Sequence, residues 1–246
     1  MRVLLVRFDA PLMSFGDVRV DARGPIRDHP GLGQVAGMFA NALGFDHAEA
    51  ERLTRLQERL RVASRCDRPG DRRTDYQTVD LGQDFMLHSW TTHGHIESRK
   101  GGTASEGTHI RLRQYHNGRV QTLAITLLPA DEAPTLDELA AALDAPARPL
   151  FIGRKPCMPS GRMNLGIINA DTLVSALAHA EPWQHRHGRA PAAAMDAWWP
   201  EDPDVQAPAD SRVVAVVDER DWRGQVVVGR RLVRVGRVTV SETTHV

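Results

Sequence analysis

Apolar runs of two different periods alternate along this chain, and their order narrows the fold more than composition does. Arg2-Val3-Leu4-Leu5-Val6-Arg7-Phe8 has the short, β-rich character of a strand. Leu32 to Leu43 then sets Val35, Met38, Phe39, Ala42 and Leu43 at helical spacing, with Gly44 as a stop. A second helix is expected after Asp46, whose side chain can cap, with Glu49 completing a capping-box pattern ahead of the Leu53, Leu56 and Leu60 stripe. Val62 to Cys66 reads as a strand, and Thr108 to His116 with Arg119 to Leu128 reads as a hairpin around Asn117-Gly118. Thr135 and Glu138 repeat the capping box before Leu136, Leu139, Ala140 and Leu143, and Leu150 to Ile152 supplies the next strand.

The order is β-α-β-β-α-β with an extra helix. It predicts an α+β chain with a ferredoxin-like core, the architecture of RNA-recognition modules, in which helices lie on one side of a sheet. Fold alone does not assign RNA binding. This core occupies residues 1–170, and a smaller β-rich carboxy-terminal region occupies 171–246. There Asp171 to Ala180 reads as a short helix, and Val213 to Val217, Val226 to Val228 and Leu232 to Val240 read as strands. The segment Pro182 to Asp210 is rich in Pro, Ala and Trp, and its Trp198-Trp199 pair suits either a core or a partner contact.

With 246 residues, 25% charged and 41% hydrophobic, the chain reads as soluble and globular. Met1 leads straight into the first strand without a secretory signal pattern, and no apolar run reaches membrane-spanning length. A cytoplasmic protein with no membrane partner is expected. Cys66 and Cys157 are too few for a disulfide framework and lack metal-ligand spacing, so both should be reduced and buried. No cofactor is implied.

Net charge is zero, but the charges are unevenly placed. No acid lies between Asp144 and Asp171, and that window holds the turn Gly153-Arg154-Lys155-Pro156-Cys157-Met158-Pro159-Ser160-Gly161-Arg162. Gly153, Pro156 and Pro159 stop regular structure, so Arg154 and Lys155 are expected at the sheet edge, facing out. That arrangement suits an anion rich in oxygens, although a solvated basic loop has the same composition. The charged residues of 196 to 221 are mostly acidic, with only Arg212 and Arg220 opposing them, whereas 222 to 240 carry Arg223, Arg230, Arg231, Arg234 and Arg237 with no acid, so a basic face and an acidic face are expected.

The stretch between Cys66 and Thr108 is long for a connection and therefore functional or disordered. Its vicinity carries Arg65, Arg68, Arg72, Arg73, Arg99 and Lys100 with Tyr76, Phe85 and Trp90, a mixture that permits phosphate contact and base stacking, diluted by aspartates 67, 71, 75, 80 and 84. Other motifs are weaker. Gly31-Leu32-Gly33-Gln34-Val35-Ala36-Gly37 lies too far from the preceding strand for a dinucleotide loop. His88, His93 and His95 lack zinc-type spacing and read as loop histidines. Tyr115-His116 beside Arg113 admits metal-free RNA cleavage, but a packing Tyr and a solvent-facing His explain the same residues.

Ala10-Pro11-Leu12-Met13-Ser14-Phe15-Gly16, Pro25-Ile26-Arg27, the helix ending Ala42-Leu43-Gly44, Arg65-Cys66-Asp67, Asp75-Tyr76-Gln77-Thr78 and Phe151-Ile152-Gly153-Arg154-Lys155-Pro156-Cys157 occur in an order that resembles the CasD family. Members of this family, within the RAMP superfamily, hold the 5′ handle of the guide RNA in type I-E CRISPR Cascade complexes. The resemblance spans residues 1–170. It implies a thumb-like hairpin at about residues 67–115, assembly beside the backbone subunit CasC and the large subunit CasA, and capping of the backbone filament for RNA-guided targeting in antiviral defence. It further implies crRNA as the bound nucleic acid, target DNA only through the assembled complex, and no catalysis.

Such a subunit needs cations and amides that fix a bent backbone, and faces that meet unpaired bases. Arg27, Arg111, Arg113, Arg154 and Lys155 are assigned the first role, and Tyr76 and Tyr115 the second. Arg99, Lys100 and Trp90 would belong to the thumb. Where the family commonly reads Pro-Thr-Arg/Lys-Ser, this chain has Pro25-Ile26-Arg27-Asp28-His29. Asp28 would oppose a nearby phosphate, and the amides of Gly31 and Gly33 at the helix start can replace the missing hydroxyl contacts. Two alternatives remain: a metal-independent endoribonuclease that processes precursor crRNA, and a protein-interaction subunit without RNA contact.

Overall fold

The computed structural model describes residues 1–18, 21–80, 88–90, 95–98, 108–184, 192–202 and 208–240. Strand β1 (Arg2–Asp9) is followed by the short β2 (Leu12–Met13) and β3 (Arg23–Gly24), then by α1 (Leu32–Leu43) and α2 (Ala50–Arg59). Next come β4 (Leu60–Arg68), β5 (Asp71–Asp80), β6 (His88–Trp90), β7 (Ile96–Ser98), β8 (Thr108–Asn117) and β9 (Val120–Leu127). The chain continues through α3 (Leu136–Asp144), β10 (Asn164–Asn169), α4 (Leu173–His179), β11 (Ala194–Pro200), β12 (Arg212–Val216), β13 (Glu219–Asp221), β14 (Val226–Val228) and β15 (Arg231–Thr239).

The main sheet runs β10-β1-β9-β4-β11-β15-β12, with neighbouring strands antiparallel throughout. Strand β1 is central and buried on both sides, which explains its unbroken apolar run. Leu4, Val6 and Phe8 join Leu123, Ile125 and Leu127 beneath Val35, Phe39, Leu53, Leu56, Leu139 and Leu143 of α1 to α3. On the opposite face Val3 and Leu5 join Ala63, Ala124 and Ala197 beneath Ala176 and Leu177 of α4. Helices therefore cover both faces, which corrects the expectation of one. The three alanines keep that second face shallow, so the single short helix can cover it.

Local signals differ in how well they survive packing. Helix α1 has the expected bounds, and Thr135 caps α3: its Oγ1 accepts the Glu138 N–H at 3.3 Å while its own N–H donates to Glu138 Oε2 at 2.6 Å. Asp46 instead closes a separate turn. Its Oδ1 accepts the Ala48 N–H at 2.9 Å and its N–H donates to Glu49 Oε2 at 2.6 Å, and the helix begins only at Ala50.

Two strand expectations are overturned. The strands flanking Asn117-Gly118 are present but do not pair with each other: β9 pairs with β1 and β4, whereas β8 pairs with β2, β3 and β5. The dipeptide marks the passage of the chain from one sheet to another, where the Gly118 N–H donates to Pro11 O at 2.9 Å. Nor is Leu150 to Ile152 a strand. The Ile152 N–H donates to Cys157 O at 2.8 Å and its carbonyl accepts the Ser14 N–H at 3.0 Å, so its backbone groups close a turn rather than join a ladder. The side chains of Leu150 and Ile152 do reach the core, but β10 takes the sheet position beside β1.

Strand β11, which sequence patterning missed inside the Pro- and Trp-rich segment, joins the carboxy-terminal strands to β4 through Ala197↔Arg65 and Trp198↔Ser64. Trp199 is buried in the α4-side core. In the other direction, β5 and β8 continue the β4–β9 pair outward as an antiparallel ribbon, registered from Asp71↔Asn117 to Asp80↔Thr108. The two cysteines are free and buried. No helix among the described residues is long and apolar enough to cross a membrane.

Candidate nucleic-acid interface

The basic turn is built against the loop that follows β1. Gly153 has φ +96°, and a Cβ there would lie 1.8 Å from the carbonyl oxygen of Ser14, so only glycine permits this approach. The clamp turns Arg154 inward rather than out from a sheet edge. Its Nη1 donates to Gln114 O at 2.7 Å, its Nη2 donates to Gly24 O at 3.2 Å, and its guanidinium lies 4.7 Å from the centre of the Tyr115 ring. Lys155 is exposed and makes no ion pair among the described residues. Elsewhere in the acid-free window, Arg148 donates to the carbonyls of Gly44 and Phe45, and Arg162 forms a bidentate pair with Asp144. Arg154 and Lys155 therefore carry the turn's available charge.

The ribbon has two chemically distinct faces, because alternate residues of a strand point to opposite sides and directly paired residues share a side. Arg73, Arg111, Arg113 and Tyr115 lie on one side with Asp75 and Gln77; Tyr76 lies on the other with Leu112, Thr74, Thr78 and Ile110. Arg111 and Arg113 thus share a face with each other and with the ring that holds Arg154. Tyr76, 60% exposed, is placed opposite them, and Tyr115 is buried, its ring spent on packing. Arg99 and Lys100, with Phe85 and His93, lie outside the described residues.

The start of α1 is filled from within the chain. Asp218 Oδ2 accepts the Leu32 N–H at 3.0 Å and its carbonyl accepts the Gly33 N–H at 2.8 Å, while Arg231 holds the carboxylate through two bonds of 2.7 Å. Burial alone would raise the Asp218 pKa, but the Arg231 bond and charge outweigh it and hold the carboxyl below its usual range. The Gly33 amide is therefore committed, and an anion could reach the helix start only by displacing Asp218. Gly33 and Gly37 serve instead as a close-packing face: a Cβ on Gly33 would stand 3.1 Å from Arg220 Cβ, and one on Gly37 would stand 3.2 Å from the Trp222 ring. Asp218 carried no local sequence signal, since it lies far along the chain from the helix it caps.

Arg27, Gly31, Gly33 and Arg154 nonetheless line one cleft of about 450 Å³ between α1, the basic turn and the segment 218–227. Arg27 forms part of its wall rather than a free cation, bonded to Asp17 Oδ1 at 2.6 Å and Val217 O at 3.1 Å. Asp28 is paired with Arg72 at 2.7 Å. Arg65 is fully buried, gripping Asp67 and the carbonyls of Leu177 and Ala180, and Arg68 stacks on Trp183. The Arg73 side chain has no hydrogen bond or ion pair among the described residues, while its backbone pairs opposite Tyr115.

Two further expectations change. His116 does not face solvent: it is 1% exposed and its Nε2 lies 2.9 Å from Arg27 O, with burial lowering its pKa to about 4. The acidic and basic stretches of the carboxy-terminal part do not form opposed faces. They neutralise one another through Arg231–Asp218, Arg234–Glu201 and Arg237–Asp196.

These features describe a sheet-based scaffold that carries an arginine-bearing ribbon, and residues 3–234 match the family described as CRISPR-associated protein (Cas_Cas5). The chain belongs to the Cas5 family. It is similar to the CRISPR system Cascade subunit CasD of Escherichia coli (strain K12), with 25% identity over 187 residues, 73% of this chain and 77% of that protein. It also resembles a chain of a solved CRISPR RNA-guided surveillance complex, with a TM-score of 0.69 and 25% identity over 98% of this chain and 92% of that one. A crystal structure of a Cas protein aligns with a TM-score of 0.62 and 23% identity, covering 96% and 95%.

Proposed function

We propose that this chain is a noncatalytic subunit of a Cascade-type surveillance complex that holds the 5′ handle of the guide RNA. The observation that carries the reading is the convergence of the ribbon's arginine face with the basic turn, in a chain similar along nearly its whole length to a subunit of a surveillance complex. The β10-β1-β9-β4 order with α1 and α3 on one side is read as the ferredoxin-like core, and the β5–β8 ribbon as the base of its thumb. Arg73, Arg111, Arg113, Arg154 and Lys155 supply phosphate contacts, and Tyr76 offers an exposed ring for a base. Backbone and large subunits of the CasC and CasA kind are the partners. The absence of chemistry is supported by the placement of Tyr115 and His116: a buried ring and a buried, neutral imidazole are poorly placed to exchange protons with a substrate.

Handle RNA should bind the purified full chain, and affinity should fall steeply as salt rises. Competition with RNA of scrambled sequence separates handle recognition from general charge attraction, and loss of binding altogether would favour the protein-interaction alternative. Cleavage of repeat RNA in EDTA would replace this reading with the endoribonuclease one.

A further inference from the structure

Buried polar groups without a hydrogen-bond partner are rare in a folded chain, and each asks for an explanation. Six such side-chain atoms occur among the described residues, and four of them, Ser14 Oγ, Arg27 Nε, Arg220 Nε and Trp222 Nε1, belong to residues that line the cleft of about 450 Å³ beside α1. They come from three separate segments: the residue after β2, the approach to α1, and β13 with the residue that follows it. Ser14 and Trp222 are 1% and 6% exposed, and three of the four atoms are N–H groups that can only donate. The cleft therefore gathers donors and supplies no acceptors for them. Its charge restricts what could. Arg27, Arg154 and Arg220 are matched in the lining by Asp17, Asp218 and Glu219, and the Asp218 carboxylate already occupies the start of α1. A phosphate would meet those acids, whereas a neutral acceptor would not. Met38, Phe151 and the Trp222 ring add apolar wall suited to a flat group.

We propose that this cleft receives one unstacked nucleobase of the handle, whose carbonyl oxygens accept from the unpartnered N–H groups. A nucleobase is neutral and planar and carries acceptors along its edge, which meets all three requirements. Uracil, cytosine and guanine have carbonyl oxygens, whereas adenine has none. Arg154 lines the same cleft, so the phosphate assigned to it and this base belong to one nucleotide or to neighbours. The inference rests on the handle-binding reading and adds to it the recognition of a particular base.

The test is a walk of single abasic sites along handle RNA, which removes one base at a time and leaves every phosphate in place, measured with wild type, Ser14→Ala and Trp222→Phe. Ser14→Ala removes one hydroxyl, and Trp222→Phe removes one N–H while keeping an aromatic wall. Both variants should bind intact handle more weakly than wild type. At one position the abasic site should weaken wild-type binding about tenfold, the scale of one or two hydrogen bonds. There, and only there, the two variants should bind as wild type does. The intact handle should carry a base with a carbonyl group at that position, and adenine in its place should recover little affinity. Ser14→Ala should not lower the thermal midpoint of the free chain, because its hydroxyl has no bond there to lose, which separates loss of the base site from loss of fold. Variant deficits that persist at every abasic position, or full affinity with adenine, would overturn the base site while leaving handle binding intact, and ordered water would then account for the four atoms. Failure of the wild-type chain to bind handle RNA would remove both readings.

Discussion

Several arginines in the amino-terminal core do structural work that their charge conceals. Arg65 is fully buried, and with Asp67 it ties β4 to the carbonyls at the end of α4. Removing one partner of a buried pair leaves the other charge without compensation. Arg65→Ala should therefore cost about 3–5 kcal/mol in denaturant unfolding, whereas Lys155→Ala should cost almost nothing. Two histidines give the fold an acid sensitivity. Burial lowers both His29 and His116 to about 4, against about 6.5 when unfolded, so the unfolded chain binds more protons between those values. Stability should be fully present above pH 6.5 and fall progressively toward pH 4, by about 3 kcal/mol per ring. Replacing His29 with Gln should flatten that part of a pH series of melts.

At the scale of elements, α1 shows how a glycine pattern can arise from packing. Gly33 and Gly37 let the helix approach β13 and Trp222, so Gly37→Val should overpack this contact and cost about 1–3 kcal/mol in an equilibrium melt. Such contacts also mark the limit of sequence reading. Helices α1 and α3 were legible because each has an apolar stripe and a local stop or cap. Asn117-Gly118 misled because a turn dipeptide encodes a bend and not the partner that follows it. Leu150 to Ile152 misled because burial without a ladder leaves the same apolar imprint as a strand. Strand β11 stayed hidden because its two tryptophans and closing Pro200 mask its alternation. In the candidate site, the charge of the basic turn was legible, but the inward turn of Arg154 onto Gln114 O, Gly24 O and the Tyr115 ring was not, because it depends on the contact of Gly153 with Ser14. Asp218 was invisible because it is distant in sequence from the α1 it caps.

At the scale of the molecule, the carboxy-terminal strands are part of the main sheet, since β11 pairs with β4 and places Trp199 beneath α4. A chain ended after residue 184 should lose the single cooperative transition expected of the full chain, observable by circular dichroism and near-ultraviolet absorbance together. The β5–β8 ribbon extends in the other direction from the same two strands. Each of its strands has ten residues, and at ~3.3 Å per residue it reaches about 33 Å. Its root at Arg68↔Val120 opens into β4 and β9, central strands of the sheet, without an intervening flexible linker. The ribbon is thus a lever with its fulcrum in the core. A torque applied far out along it is delivered to the strands that anchor the whole sheet, and engagement of its outer end should slow amide exchange in β4 and β9.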